Sequence, residues 1–141
     1  MKNLISQIHE QAGRLGQCGK FSGNEDLNQI IDLFTSPQGV EFCLAHHFPA
    51  LNTLAMFKPF DVHEKGVFIN FGGLTISDRH RVVLIGRTSA TINCNENVRY
   101  EILLMHGAKA VINANNWAVV SVKADKGCEV IKNASGNAVI L

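Results

Sequence analysis

The residues best suited to chemistry in this chain are Cys43, His46 and His47, a C-x-x-H-H motif with Glu41 two positions before it. Residues three and four apart share one face of a helix, so the Cys43 thiol could meet either imidazole. A thiol with two imidazoles can hold zinc, and a thiol beside one imidazole can act as a nucleophile. A plainer reading outweighs both. Cys43 lies in the apolar run Phe42-Cys43-Leu44, where cysteine behaves as a small hydrophobe. Adjacent histidines at a helix end favour its negative C-terminus without needing a ligand. An enzyme using Cys43 with His46 is therefore the least favoured reading, and neither a cofactor nor a metal is expected.

The other reactive groups are dispersed. His63, His80 and His106 have no serine or aspartate spacing that marks a catalytic base. Arg79, Arg81, Arg87 and Arg99 could hold a phosphate or carboxylate, but without an aromatic set they read as a solvated face. Cys94 and Cys128 are expected in the core. No C-x-x-C, dinucleotide-binding glycine pattern, phosphate-binding loop, nucleophile elbow or His-Glu-x-x-His is present. The 13 basic and 12 acidic residues leave a formal charge of +1, which gives nucleic acid or an anionic membrane nothing to hold. The longest apolar runs, such as Val82-Val83-Leu84-Ile85, fall far short of the ~18 residues of a membrane span. Polar residues interrupt Met1 to Glu10 too often for a signal peptide. A cytoplasmic protein with Cys18, Cys43, Cys94 and Cys128 as thiols is the expectation.

The elements that must position these groups differ between the two parts of the chain. Over residues 2–16 the apolar positions Leu4, Ile5, Ile8, Ala12 and Leu15 follow a helical period, with Gly16 as a stop. Ser22-Gly23-Asn24-Glu25 has capping-box spacing ahead of the stripe Leu27, Ile30, Ile31 and Phe34. Ser36 and Pro37 open a third helix as N-cap and first residue. Pro49 to Phe57 predicts a fourth.

From residue 88 onward the chain repeats every ten residues. One column holds Thr88, Val98, Ala108, Ala118, Cys128 and Ala138. The next holds Ala90, Tyr100, Ala110, Val120, Val130 and Ile140. The third holds Ile92, Ile102, Ile112, Val122 and Lys132, and the fourth Cys94, Leu104, Ala114, Ala124 and Ala134. Only Thr88 and Lys132 are not apolar, in a chain that is 46% hydrophobic. Apolar positions two apart make one face of a strand. Asn95-Glu96-Asn97, Asn115-Asn116, Asp125-Lys126-Gly127 and Ser135-Gly136-Asn137 supply the turns between strands.

Two folds carry such strands: a β-solenoid (β-helix), or an antiparallel meander or sandwich. The many inward alanines suit the close walls of a solenoid better than sheets ~10 Å apart. Outward positions alternate over 20 residues, with Val119 and Val139 apolar where Lys109 and Glu129 are charged. The expected fold is α+β: a helical cap at 1–57, placed over one solenoid end, and a β-solenoid at 58–141. Val67-Phe68-Ile69, Leu74-Thr75-Ile76 and Arg81 to Ile85 are its first, less regular turns. Lys132 is either a snorkelling lysine or half of a buried pair.

In its alternation and turn chemistry this half of the chain resembles bacterial β-solenoid repeat proteins, bactofilins among them, which form polymers. Through Ser36-Pro37-Gln38-Gly39-Val40-Glu41-Phe42-Cys43 the chain is also similar to small uncharacterised bacterial proteins. The far solenoid end reads Asn137-Ala138-Val139-Ile140-Leu141, apolar where a capping repeat would be polar. That end, or the outward stripe of Trp117, Val119 and Val139, is expected to bury itself against another copy. The function this implies is a non-enzymatic, self-assembling scaffold protein, working as a homo-oligomer. The alternative is a binding module for a carbohydrate or a partner protein, with Trp117 as its anchor.

Overall fold

A computed structural model describes residues 1–17 and 19–141, and the thiol expected at Cys18 lies outside the described residues. The chain divides into two units, Met1–Pro59 and Phe60–Leu141.

The first unit is helical. Helix α1 (Lys2–Arg14) buries Leu4, Ile5, Ile8 and Ala12, the stripe its period predicts. Helix α2 (Leu27–Thr35) begins later than the Ser22 spacing suggests. The Glu25 carboxylate accepts the backbone N–H groups of Ser22 (2.9 Å) and Gly23 (2.8 Å) and the Ser22 hydroxyl (3.2 Å). That turn closes on itself, and the cap passes to Asp26. Asp26 Oδ1 accepts the Gln29 N–H at 2.8 Å while Gln29 Oε1 accepts the Asp26 N–H at 2.9 Å, a reciprocal capping box.

Ser36 ends α2 and caps helix α3 (Pro37–His46), its Oγ accepting the Gly39 N–H at 3.1 Å. One residue therefore makes the whole corner between the two helices. Gly39 permits it, since a Cβ there would stand 2.1 Å from the Leu33 carbonyl oxygen and 2.9 Å from the Phe34 Cα. Helix α3 stops at His47, which is left-handed at φ 50°. Helix α4 (Leu51–Ala55) follows.

The second unit is a β-solenoid of about four coils. Its strands are β1 (Val67–Ile69), β2 (Gly72–Ser77), β3 (Arg81–Ile85), β4 (Thr88–Cys94), β5 (Arg99–Met105), β6 (Lys109–Ala114), β7 (Val119–Ala124), β8 (Glu129–Ala134) and β9 (Val139–Ile140). Odd strands stack as one sheet in the order β1-β3-β5-β7-β9, and even strands as a second, β2-β4-β6-β8. Every pairing among the described residues is parallel, which removes the antiparallel meander. Later pairings join residues 20 apart, such as Leu84 with Leu104, while β1–β3 and β2–β4 join residues 16 apart, such as Val67 with Val83. The irregular first turn is thus a shorter coil.

Side-chain size explains how two sheets close so tightly. The even strands turn Ala90, Ala110, Cys94 and Ala114 inward around Ile92 and Ile112. The odd strands answer with Tyr100, Ile102, Leu84 and Leu104. Small residues receive large ones, and the interior packs without a second layer. Corners repeat at the coil spacing. Gly107 and Gly127 hold φ 82° and 84°, and Asn116 and Gly136 hold 57° and 61°, the left-handed region that permits the sharp bend.

Four column residues, Val98, Ala124, Lys132 and Ala134, are exposed and depart from the simple inward reading, while Thr88 keeps to it. Val98 is 37% exposed because it sits in a tight turn, its N–H donating to the Glu96 carbonyl, where strand alternation does not hold. Thr88 is buried and satisfied: Oγ1 donates to the Ile85 carbonyl at 2.9 Å and accepts the Phe71 N–H at 3.1 Å. Lys132 lies in register with Ile112 on edge strand β8, is exposed, and its Nζ reaches the Leu141 carbonyl at 3.4 Å. It snorkels from an interior position to the rim.

Candidate functional site

The Cys-His motif falls on the last turn of α3 and does not assemble. Cys43 is buried, whereas His46 is exposed with its ring on Phe42, centroids 4.5 Å apart. His47 is the left-handed cap, its N–H bonded to the Cys43 carbonyl. The three do not converge as a ligand set. His63, His80 and His106 lie in the second unit. The His63 ring tilts on Phe71, His80 Nε2 lies 3.4 Å from the Glu96 carboxylate, and His106 is left-handed at a corner. Arg79 donates to the Glu64 carbonyl and lies 6.0 Å from the Phe68 ring centroid.

The residues expected at an interface gather better. In β7 and β9, Val119 pairs with Val139, and both face outward in line with Arg99 of β5. Two residues before Val119, Trp117 occupies the corner, 64% exposed, its N–H donating to Asn97 Oδ1 at 3.1 Å. Two residues after Val139, Leu141 is 58% exposed. Ile140 is the exception: it pairs with Val120 and packs into the interior. Val119 and Val139 share the outer face of the odd sheet, and Trp117 and Leu141 stand exposed two residues away along the chain. Beside Val119, Arg99 Nε meets Glu101 Oε1 at 3.2 Å, a half-exposed ion pair that the sequence reading passed over.

The even sheet carries a different surface. Asn133 donates to Asn113 Oδ1 (3.0 Å), Asn113 to Asn93 Oδ1 (3.2 Å), and Asn93 to Ser77 Oγ (3.4 Å). Asn115 donates likewise to Asn95 Oδ1 at 2.7 Å. Such side-chain ladders run along stacked parallel strands and fix their register. Their signal was present in the sequence as asparagines 20 apart.

A half-buried polar network holds one corner. The Tyr100 hydroxyl donates to Asp78 Oδ1 at 2.9 Å and accepts the Glu96 N–H at 3.0 Å. The Asn95 N–H, then the Tyr100 hydroxyl, hold the Asp78 carboxyl below its usual range. Burial first, and the Asp78 charge after it, push the Cys94 thiol up to about 11 and the Tyr100 phenol up to about 12. Both groups bind their protons more tightly in the fold than in the open chain. Their stabilisation is complete below the ordinary values of 9.0 and 10.0 and is lost as pH rises through about 11 and 12. The denaturation midpoint of the solenoid is expected to fall across that window, and Tyr100→Phe with Cys94→Ala to flatten the profile. A midpoint constant to pH 12 in the native chain would contradict the assignment.

The fold defines the chain as a β-solenoid protein with a helical N-terminal region. Comparison with models of known families, with curated proteins and with solved structures gives no match. Among the described residues no helix is long and apolar enough to cross a membrane.

Proposed function

We propose that the protein is a non-enzymatic structural protein that self-associates, two copies meeting through the outward face around Trp117. The observation that carries this reading is the outward line of Val119 and Val139, with Trp117 and Leu141 exposed two residues away along the chain and Arg99, paired with Glu101, next in line. An aromatic anchor among aliphatics with a charged rim has the anatomy of an interface centre. The rim carries both signs side by side, so it complements itself. Across a two-fold axis, Arg99 of one copy faces Glu101 of the other.

Lys132 argues against the other route, end-to-end stacking of coils. It occupies an interior column on an edge strand, and a second coil would strip water from its ammonium at a cost of several kcal/mol. Inward lysines on edge strands are a common guard against such pairing. The proposal places the protein in the cytoplasm, where Cys94 and Cys128 would stay as thiols.

Light scattering across micromolar to millimolar concentration tests the reading. The intact chain is expected to have the mass of a dimer, and Trp117→Ala to weaken association roughly thirtyfold. Glu101→Arg alone should disperse the dimer, and Arg99→Glu added to it should restore it. A monomer at every concentration would overturn the proposal.

One observation favours a carbohydrate-binding module instead: Trp117 is 64% exposed at a corner that Asn97 Oδ1 holds by accepting the Trp117 backbone N–H. Trp117 is the sole tryptophan, so its fluorescence would report an oligosaccharide directly. A monomer showing saturable quenching would select that function.

A further inference from the structure

The helical unit contains a half-open cavity of about 60 Å³ that none of the readings above uses. Its walls are Phe21, Phe34, Phe42 and Phe48, with the buried Cys43 among them. The rings meet edge to face: Phe21 and Phe34 at 5.7 Å between centroids, Phe34 and Phe48 at 6.4 Å, Phe42 and Phe48 at 5.8 Å. Edge-to-face packing fixes the rings and keeps the space between them open, because each ring is already held by its neighbour. At roughly 10–15 Å³ per water-sized group, the space takes about four to six such groups, enough for a butyl chain.

The polar groups at the cavity are sharply biased. Gln17 is spent on the connection, donating to the Phe21 carbonyl at 3.2 Å and accepting the Gly19 N–H at 2.8 Å. Ser36 is spent on the corner, donating to the Leu33 carbonyl at 2.6 Å and accepting the Gly39 N–H at 3.1 Å. Two donors remain, the Lys20 ammonium and the Gln38 amide, neither with a side-chain partner among the described residues. No acidic side chain is among the described lining residues. An apolar slot that has a lysine and a glutamine among its described lining residues, and no carboxylate, selects a small amphipathic anion.

We propose that this cavity binds a short-chain carboxylate, its alkyl tail among the phenylalanines and its carboxylate on Lys20 and Gln38. Charge-assisted hydrogen bonds to the head group give the preference over a neutral or cationic ligand of the same length. The site needs no second copy and stands apart from the self-association proposed above.

Titration of the full chain with pentanoate, 1-pentanol and pentylammonium, followed by the phenylalanine ring resonances, tests it. Pentanoate is expected to shift the Phe21, Phe34 and Phe42 rings saturably, at roughly tenfold lower concentration than pentanol. Pentylammonium is expected to be weakest. Lys20 is exposed, so Lys20→Glu leaves the fold intact and should invert the order, weakening pentanoate and favouring pentylammonium. Three ligands binding alike, no saturable shift, or pentanoate binding untouched by Lys20→Glu would each overturn the proposal.

Discussion

Gly39→Ala is expected to destabilise the helical unit by about 3 kcal/mol, at the upper end of overpacking substitutions. The neighbour its methyl would strike is the backbone carbonyl of Leu33, at 2.1 Å, not the far end of a movable side chain. Relief requires α2 and α3 to separate, which breaks the Ser36–Gly39 cap and draws Phe34 away from Phe48. Hydrogen exchange reads this locally: protection in α2 and α3 should fall while the amides of β4 to β6 stay protected. The control is Gly13→Ala in α1, where the new methyl meets nothing within 4 Å. Gly13 lies in the last turn of α1, so removing a glycine there should stabilise by about 0.5 kcal/mol. Unchanged protection in Gly39→Ala would mean the corner can open freely, against the geometry described.

Ile112→Ala should be the most damaging truncation in the solenoid, about 3–4 kcal/mol. Ile112 is fully buried between Ile92 and Lys132 in its column and faces the large residues of the odd strands. The alanine-rich even wall is already at its narrowest, so it cannot collapse into the vacancy. Ile140→Ala removes the same type of side chain from a half-buried position on β9 and should cost about 1 kcal/mol. Denaturant titration of both variants gives the comparison. Equal losses would show that the last coil is packed as firmly as the middle ones.

The repeat was legible because each inward column draws on one residue class. Alternation placed β4 to β8, and the 20-residue alternation of Val119 and Val139 against Lys109 and Glu129 anticipated two unlike sheets. Alternation fails where the chain bends, and Val98 reads as interior but is exposed. Ser22 misled for a similar reason, since its spacing to Glu25 serves a closed turn as well as a helix start. The interface residues were legible singly, but their grouping with the Arg99–Glu101 pair needed the strand register. The cavity was not legible at all. Its four rings come from the α1–α2 connection, α2, α3 and the residue beyond His47, and no spacing in the sequence brings them together.

The 16- and 20-residue pairing intervals also bear on how quickly the solenoid can form. Parallel sheets are ordinarily slow to assemble, because distant segments must find each other before any contact rewards the search. Here no strand pairing spans more than 20 residues. Each coil therefore closes a loop of modest entropy against one neighbour, and the cost does not grow with the number of coils. Once any two layers have met, the rest can be added one at a time in either direction, like a zip. A parallel β structure of this kind carries the kinetic economy of a locally wired fold.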